Sequence, residues 1–361
     1  MANCFDYLAW RGDIPFSVSE FNEVDGMLLS RFAYAPFELC DGKFPMKVSE
    51  ACEQMLAHEE LESHLVHKDD RLVIEGFLES DRFSSLSVFG YEDTVDTESE
   101  TQFSAITVRL AHDLYYIAFR GTDDTLIGWK EDFNMSFTFP VPAQRLATEY
   151  AEKIAKRVRG KIICGGHSKG GNLAVYAAAF SKPRVQSRIV RVQNFDGPGF
   201  DERVIKSPEF LAMRGRVDTF VPKSSVIGLL LFHEEEYTIV DSTYQGILQH
   251  DTYSWVVERD KFKYLERVTD ASRFLDITLK EWIRKMPIDK RELLVDALYE
   301  LISGTNAETV TELSENRLGN ALSILNTFRG LDDETKKLIF EAFRSLAKSA
   351  KNTLYLQLQR R

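Results

Sequence analysis

The chain has 361 residues, which at about 150 residues per domain is enough for two domains or one large domain with an extension. Hydrophobic residues make up 44% and charged residues 28%, which excludes a disordered, collagenous or membrane-dominated chain. Lys and Arg total 45 against 56 Asp and Glu, a net charge of −11, so nucleic acid is a poor partner and a soluble anionic surface is expected.

The four cysteines, Cys4, Cys40, Cys52 and Cys164, lack CxxC spacing and indicate neither a zinc site nor a disulfide framework. Residues 1–13 lack the basic start and apolar run of a signal peptide, and the expected location is the cytoplasm. Residues 1–80 read as α-rich, with a helix expected over Ser49–Leu65. In that stretch His58, His64 and His67 stand six and three apart, not the four of HExxH, and are read as a solvated face with no metal. The acidic segment Glu92–Glu100 reads as a solvated turn, and Phe103–Leu110 with Leu114–Phe119 reads as a β-hairpin. Helical spacing over Arg145–Val158 is followed by an apolar strand at Ile162–Cys164, a glycine-rich turn, an alanine-rich helix at Asn172–Phe180 and a strand at Ile189–Phe195. That alternation predicts an α/β fold with a mostly parallel sheet flanked by helices. Tyr237–Val240 is a further strand, and the apolar run Val226–Phe232 is a core element or a lid, too short to span a bilayer. From about residue 262 only helical patterns remain, so a boundary is placed near 260: an α/β unit over 1–260 and a helical region over 261–361. The stretch Lys336–Arg361 is basic with interleaved Leu, Phe and Tyr, a pattern that suits either a solvated helix or contact with an anionic membrane surface or an acidic partner.

Gly166-His167-Ser168-Lys169-Gly170 satisfies GxSxG between a strand and a helix, the setting of a nucleophile elbow. The glycines permit the sharp turn that lifts the serine hydroxyl, and the helix N-terminus directs N–H groups at a developing oxyanion. The alternative is a glycine-rich turn with a helix-capping serine. A serine nucleophile needs a base and an orienting carboxylate, expected in the chain order Ser, Asp, His. Of the two downstream histidines, His250 in a loop after a late strand is preferred to His233. Asp218 is preferred as the carboxylate, with Asp196 read as a turn residue of the Gly-Pro-Gly loop and Asp241 third.

These motifs resemble the class 3 lipase family of α/β-hydrolases, and more closely a bacterial branch of lipase-like proteins first described as a domain of unknown function. The resemblance covers roughly residues 100–257. Phe119-Arg120-Gly121-Thr122, followed by Trp129 and Asp132, is similar to the segment that supplies the oxyanion-hole hydroxyl and amide, which implies that role for Thr122. Gly166–Gly171 resembles the GHSxGG elbow, Asp218 with Val221-Pro222 the family's catalytic Asp segment, and Gln249-His250-Asp251 its histidine segment. Lys169 stands where the family usually carries an apolar residue, and no arginine follows Pro198. The expectation is therefore a serine hydrolase with a Ser168, His250, Asp218 triad and an oxyanion hole from Thr122 and the Lys169 amide. It would act on a small-molecule acyl ester, a lipid or a thioester among the candidates, with no cofactor. The Lys169 ammonium is expected either near the pocket mouth or in solvent. A silent fold serving as an interaction module is the alternative.

Overall fold

The computed structural model describes residues 1–96, 98, 101–123, 126–135, 137–305 and 317–359. Its centre is a sheet of nine strands among the described residues. The order follows the chain from β1 (Met46–Lys47) through β2 (Ser87–Asp96), β3 (Thr101–Ala111), β4 (Leu114–Phe119), β5 (Lys161–His167), β6 (Ile189–Phe195), β7 (Val217–Pro222) and β8 (Tyr237–Val240). A two-residue hairpin of β9 (Val257–Glu258) and β10 (Lys261–Phe262) precedes β11 (Tyr264–Leu265), which closes the sheet beside β8. Strands β1 to β4 pair antiparallel, β4 to β8 pair parallel, and β11 returns antiparallel.

Side-chain alternation along the central strands assigns one layer to each face. Ile106, Val108, Tyr116, Ala118, Ile163 and Phe195 point into a core closed by the N-terminal helices. These are α1 (Cys4–Arg11), α2 (Glu23–Phe32), α3 (Val48–Leu56), α4 (Leu61–His64) and α5 (Asp70–Glu79). Their neighbours Ala105, Tyr115, Ile117, Phe119, Cys164 and Val192 point the other way, into the core under the crossover helices. That layer comprises α6 (Leu126–Asn134), α7 (Pro142–Arg157), α8 (Lys169–Phe180), α9 (Pro183–Gln186), α10 (Glu202–Ile205) and α11 (Pro208–Met213). Helix α8 is buried on all sides from Lys169 to Ala179, and its four alanines allow the close approach to the sheet that bulkier residues would prevent.

The fold is thus the expected α/β-hydrolase type, with three local departures. Strand β2 runs through the acidic segment to Asp96 where a turn was expected, because its backbone pairs with β3 while Glu92 and Asp93 meet Lys153 and Arg120. Residues 97, 99 and 100 of that segment lie outside the described ones. The helix expected over Ser49–Leu65 is broken into α3 and α4 by a turn at residues 57–60. Helical structure resumes only at residue 270, since Tyr264–Leu265 is still a strand of the main sheet. Beyond it α12 (Asp270–Lys285), α13 (Ile288–Ser303), α14 (Arg317–Gly330) and α15 (Asp333–Gln359) enclose a separate apolar cluster of Leu294, Ala297, Leu301, Leu331, Ile339 and Ala342. Among the described residues no helix is long and apolar enough to cross a membrane. The run Val226–Phe232 contributes to two cores: Leu229 packs with Val221, Ile239 and Val268, and Leu231 with Met135 and Val141.

Candidate active site

The carboxyl ends of the parallel strands converge on one edge of the sheet, where open α/β sheets bind ligands. Ser168 follows the last residue of β5 and precedes α8, with φ 57° and ψ −133°. A non-glycine residue in this region is strained, and its surroundings must hold it there. Two glycines make that possible. A Cβ on Gly170 would lie 2.1 Å from the Phe119 carbonyl oxygen, and one on Gly166 would lie 2.2 Å from the Gly170 carbonyl carbon. The Ser168 N–H donates to the Phe195 carbonyl at 3.0 Å, tying the turn to β6.

His250 ends a short turn, Gly246–His250, after β8. Its Nδ1 meets Asp196 Oδ2 at 2.7 Å, and the Asp196 side chain is fully buried. Asp196 follows the last residue of β6 with φ 53°, and its Oδ1 accepts the Ser225 hydroxyl at 2.6 Å. The expectation of Asp218 as the partner of His250 is therefore corrected. Asp218 is the second residue of β7, where it pairs with Arg191 and is 39% exposed. Asp196 instead sits level with the Phe220 carbonyl, to which its N–H donates at 2.8 Å. Two to three residues of strand, about 3.3 Å each, separate Asp218 from that level. Asp241 is held by Lys223 and Lys263 at 2.6 and 3.0 Å. His233 is occupied by Glu235 at 2.9 Å, inside the fold.

The elbow histidine links these parts. The His167 and His250 rings lie with centroids 4.6 Å apart, and His167 Nε2 lies 2.8 Å from the His250 carbonyl oxygen. Burial, together with the neighbouring His250 and the Arg31 cation, holds His167 well below the usual imidazole value. A neutral ring donating from Nε2 leaves Nδ1 as an acceptor, towards Tyr34 Oη at 3.3 Å and Arg31 Nη1 at 3.5 Å. Arg31 is stacked between the Tyr34 and Tyr253 rings, at 4.4 and 4.5 Å from their centroids, and paired with Asp70 at 2.5 Å. Tyr253, three residues after His250, donates to the same carboxylate at 2.5 Å. The N-terminal layer thereby braces the histidine loop from behind. Of these supports only His167 lies in a recognisable motif; nothing in the spacing of Arg31, Tyr34, Asp70 and Tyr253 signals their meeting.

Thr122 lies beyond β4 beside the elbow. Its hydroxyl donates to Asp132 Oδ2 at 2.6 Å, while Asp132 Oδ1 is buried without a hydrogen-bond partner among the described residues. Burial pushes the Asp132 carboxyl up to about 6, against the opposing pull of Lys169. The side chain of Trp129, in the same helix, lies outside the described ones. Because the folded protein favours protonated Asp132, the unfolded chain loses this proton first. Wild-type stability should fall as pH rises from about 4 through 6, by at most about 3 kcal/mol. Asp132→Asn should be more stabilising, relative to wild type, at pH 8 than at pH 4, read from urea unfolding at both. Equal effects at the two pH values would contradict it.

Lys169 is neither at a pocket mouth nor in solvent, correcting both expectations. Its side chain is 1% exposed, and Nζ donates to the Gln102 carbonyl at 3.0 Å, to Gln102 Oε1 at 3.2 Å and to Glu131 Oε2 at 3.0 Å. Glu131, also buried, accepts the backbone N–H of Gln102 at 3.1 Å and of Ala143 at 2.9 Å. As the first residue of α8, Lys169 keeps a backbone N–H that no preceding helical carbonyl can take.

Together, the mostly parallel sheet, the strained Ser168 turn between β5 and α8 and the histidine loop after β8 define a class 3 lipase-like α/β-hydrolase fold. By sequence the chain belongs to the Mbeg1-like family, which it matches over residues 77–300. No curated protein matches it. Solved structures similar to it include a mutant form of MDLA from Penicillium cyclopium, at 11% identity over 66% of this chain and 83% of that one, TM-score 0.39. Rhizomucor miehei lipase in complex with its propeptide is similar at 14% identity over 69% and 74%, TM-score 0.39. Lipase II from Rhizopus niveus is similar at 14% over 66% and 83%, TM-score 0.39.

Proposed function

We propose that the protein is a serine hydrolase that cleaves carboxylic esters through Ser168, His250 and Asp196. The observation that carries this is the 2.7 Å contact between His250 Nδ1 and the fully buried Asp196 carboxylate. It stands beside a serine held at φ 57° on a strand-to-helix turn. In this reading Asp196 accepts the Nδ1 proton of His250 and fixes the tautomer whose Nε2 is a base. Ser168 Oγ attacks the acyl carbonyl carbon as Nε2 takes its proton. The oxyanion accepts the N–H of Lys169 and the N–H of Thr122, whose hydroxyl proton is given to Asp132. His250 then protonates the leaving alcohol, and water, deprotonated by the same imidazole, releases the acid from the acyl-enzyme. Tyr244, Ile247 and Leu248 stand exposed on the histidine loop, an apolar rim suited to an acyl chain.

Fluorophosphonate labelling of the purified protein tests the proposal. Wild type should be labelled at one site and Ser168→Ala not at all, with His250→Ala slowed to near the background rate. A folded wild type that resists the probe would instead favour a silent fold acting as an interaction module.

A further inference from the structure

We propose that the outward face of α15 docks the protein on an anionic phospholipid surface. This goes beyond the hydrolase reading and does not depend on it. Helix α15 packs inward through Ile339, Ala342, Ser349 and Thr353, and the Trp282 indole of α12 donates to its Ala342 carbonyl at 3.1 Å. The face that seals the helical region is therefore already used. Around the rest of the helix, Phe340, Phe343, Leu354 and Tyr355 are 65%, 57%, 52% and 62% exposed. Phe340 meets the Phe328 ring of α14 edge-on at a centroid distance of 5.8 Å, but most of its surface, and most of that of Phe343, Leu354 and Tyr355, faces solvent.

Between them stand Arg344, Lys348 and Lys351, exposed and without an ion pair among the described residues. At 3.6 residues per turn, Phe340, Arg344, Lys351 and Tyr355 share one side, with Phe343, Lys348 and Leu354 at its margins. Residues 342–361 hold five basic residues and no acidic one, in a chain whose net charge is −11. Within α15 itself, the stretch from residue 342 onward carries Arg344, Lys348 and Lys351 and no acidic residue. That face can lie flat on an anionic bilayer, with its rings at the acyl boundary and its cationic heads among the lipid phosphates.

The test is cosedimentation of the full chain with vesicles of phosphatidylcholine alone or mixed with phosphatidylglycerol. Wild type should partition onto the mixed vesicles, lose that binding in high salt, and bind phosphatidylcholine weakly. Replacing Arg344, Lys348 and Lys351 together by Gln should lower binding on the order of a hundredfold. Phe340→Ser with Phe343→Ser should lower it at least tenfold, and Ser168→Ala should bind as wild type. The substituted positions are exposed, so thermal melts should be unchanged. Equal partition onto both vesicle types, no partition onto either, or undiminished binding of the variants would overturn the proposal. So would a concentration-dependent dimer abolished by the same substitutions, which would make a second copy the occupant.

Discussion

Asp196→Asn should slow fluorophosphonate labelling of Ser168 by about 10⁴, the loss typical when a triad carboxylate becomes an amide. The change is nearly isosteric, and the amide oxygen can still accept the Ser225 hydroxyl bonded to Oδ1 at 2.6 Å. What changes is the group facing His250 Nδ1 across 2.7 Å, which becomes an N–H donor. The imidazole must then accept at Nδ1 and carry its proton on Nε2, where it cannot take the Ser168 proton. Asp218→Asn is the matched control. It removes one member of a 39% exposed pair with Arg191, and such pairs contribute about 0–1 kcal/mol. Its labelling rate should stay within about twofold of wild type. The reverse order of effects would return the carboxylate role to Asp218.

Lys169→Met should cost about 3–5 kcal/mol of stability, a large share of what a domain possesses. The substitution leaves Glu131 buried with two backbone donors but no countercharge. Urea unfolding measures the loss, and a Lys169→Met protein within about 1 kcal/mol of wild type would refute the account. Lys169→Met combined with Glu131→Gln removes both charges while keeping an acceptor for one of those backbone donors, and should recover part of the stability. Were the lysine in solvent, neither change would register.

The strand-to-helix turn at Ser168 and the loop that carries His250 are legible in the sequence because each is a local pattern. Ser168 lies between a predicted strand and helix, and His250 in a loop after Tyr237–Val240. The aspartate that pairs with His250 is not, because Asp196 and Asp218 both adjoin strands of similar composition. Only the register, with the Asp196 N–H on the Phe220 carbonyl, decides which one stands beside the His250 loop. Lys169 was misread for a related reason. A lysine at the start of a helix is ordinarily solvated, and its burial depends on Glu131 and Gln102 arriving from α6 and β3. The brace behind the histidine loop was invisible, since Arg31 and Tyr34 reach His167 across 136 and 133 residues of chain. The two sheet faces were half legible. The N-terminal residues read as α-rich, but that they form one covering layer of the sheet emerges only from the packing.

That layer is pinned to the far end of the sheet by Glu23, whose carboxylate accepts the Phe262 N–H at 2.7 Å and the Tyr264 hydroxyl at 2.9 and 2.7 Å. The first of these contacts joins residues 239 apart. At about 5–20 residues per second, a ribosome needs about 12–50 seconds to supply the partner after Glu23 is made. During synthesis the N-terminal helices can cover their apolar faces on β3 to β5, but the Glu23 carboxylate must wait for nearly the last strand of the sheet before it is satisfied.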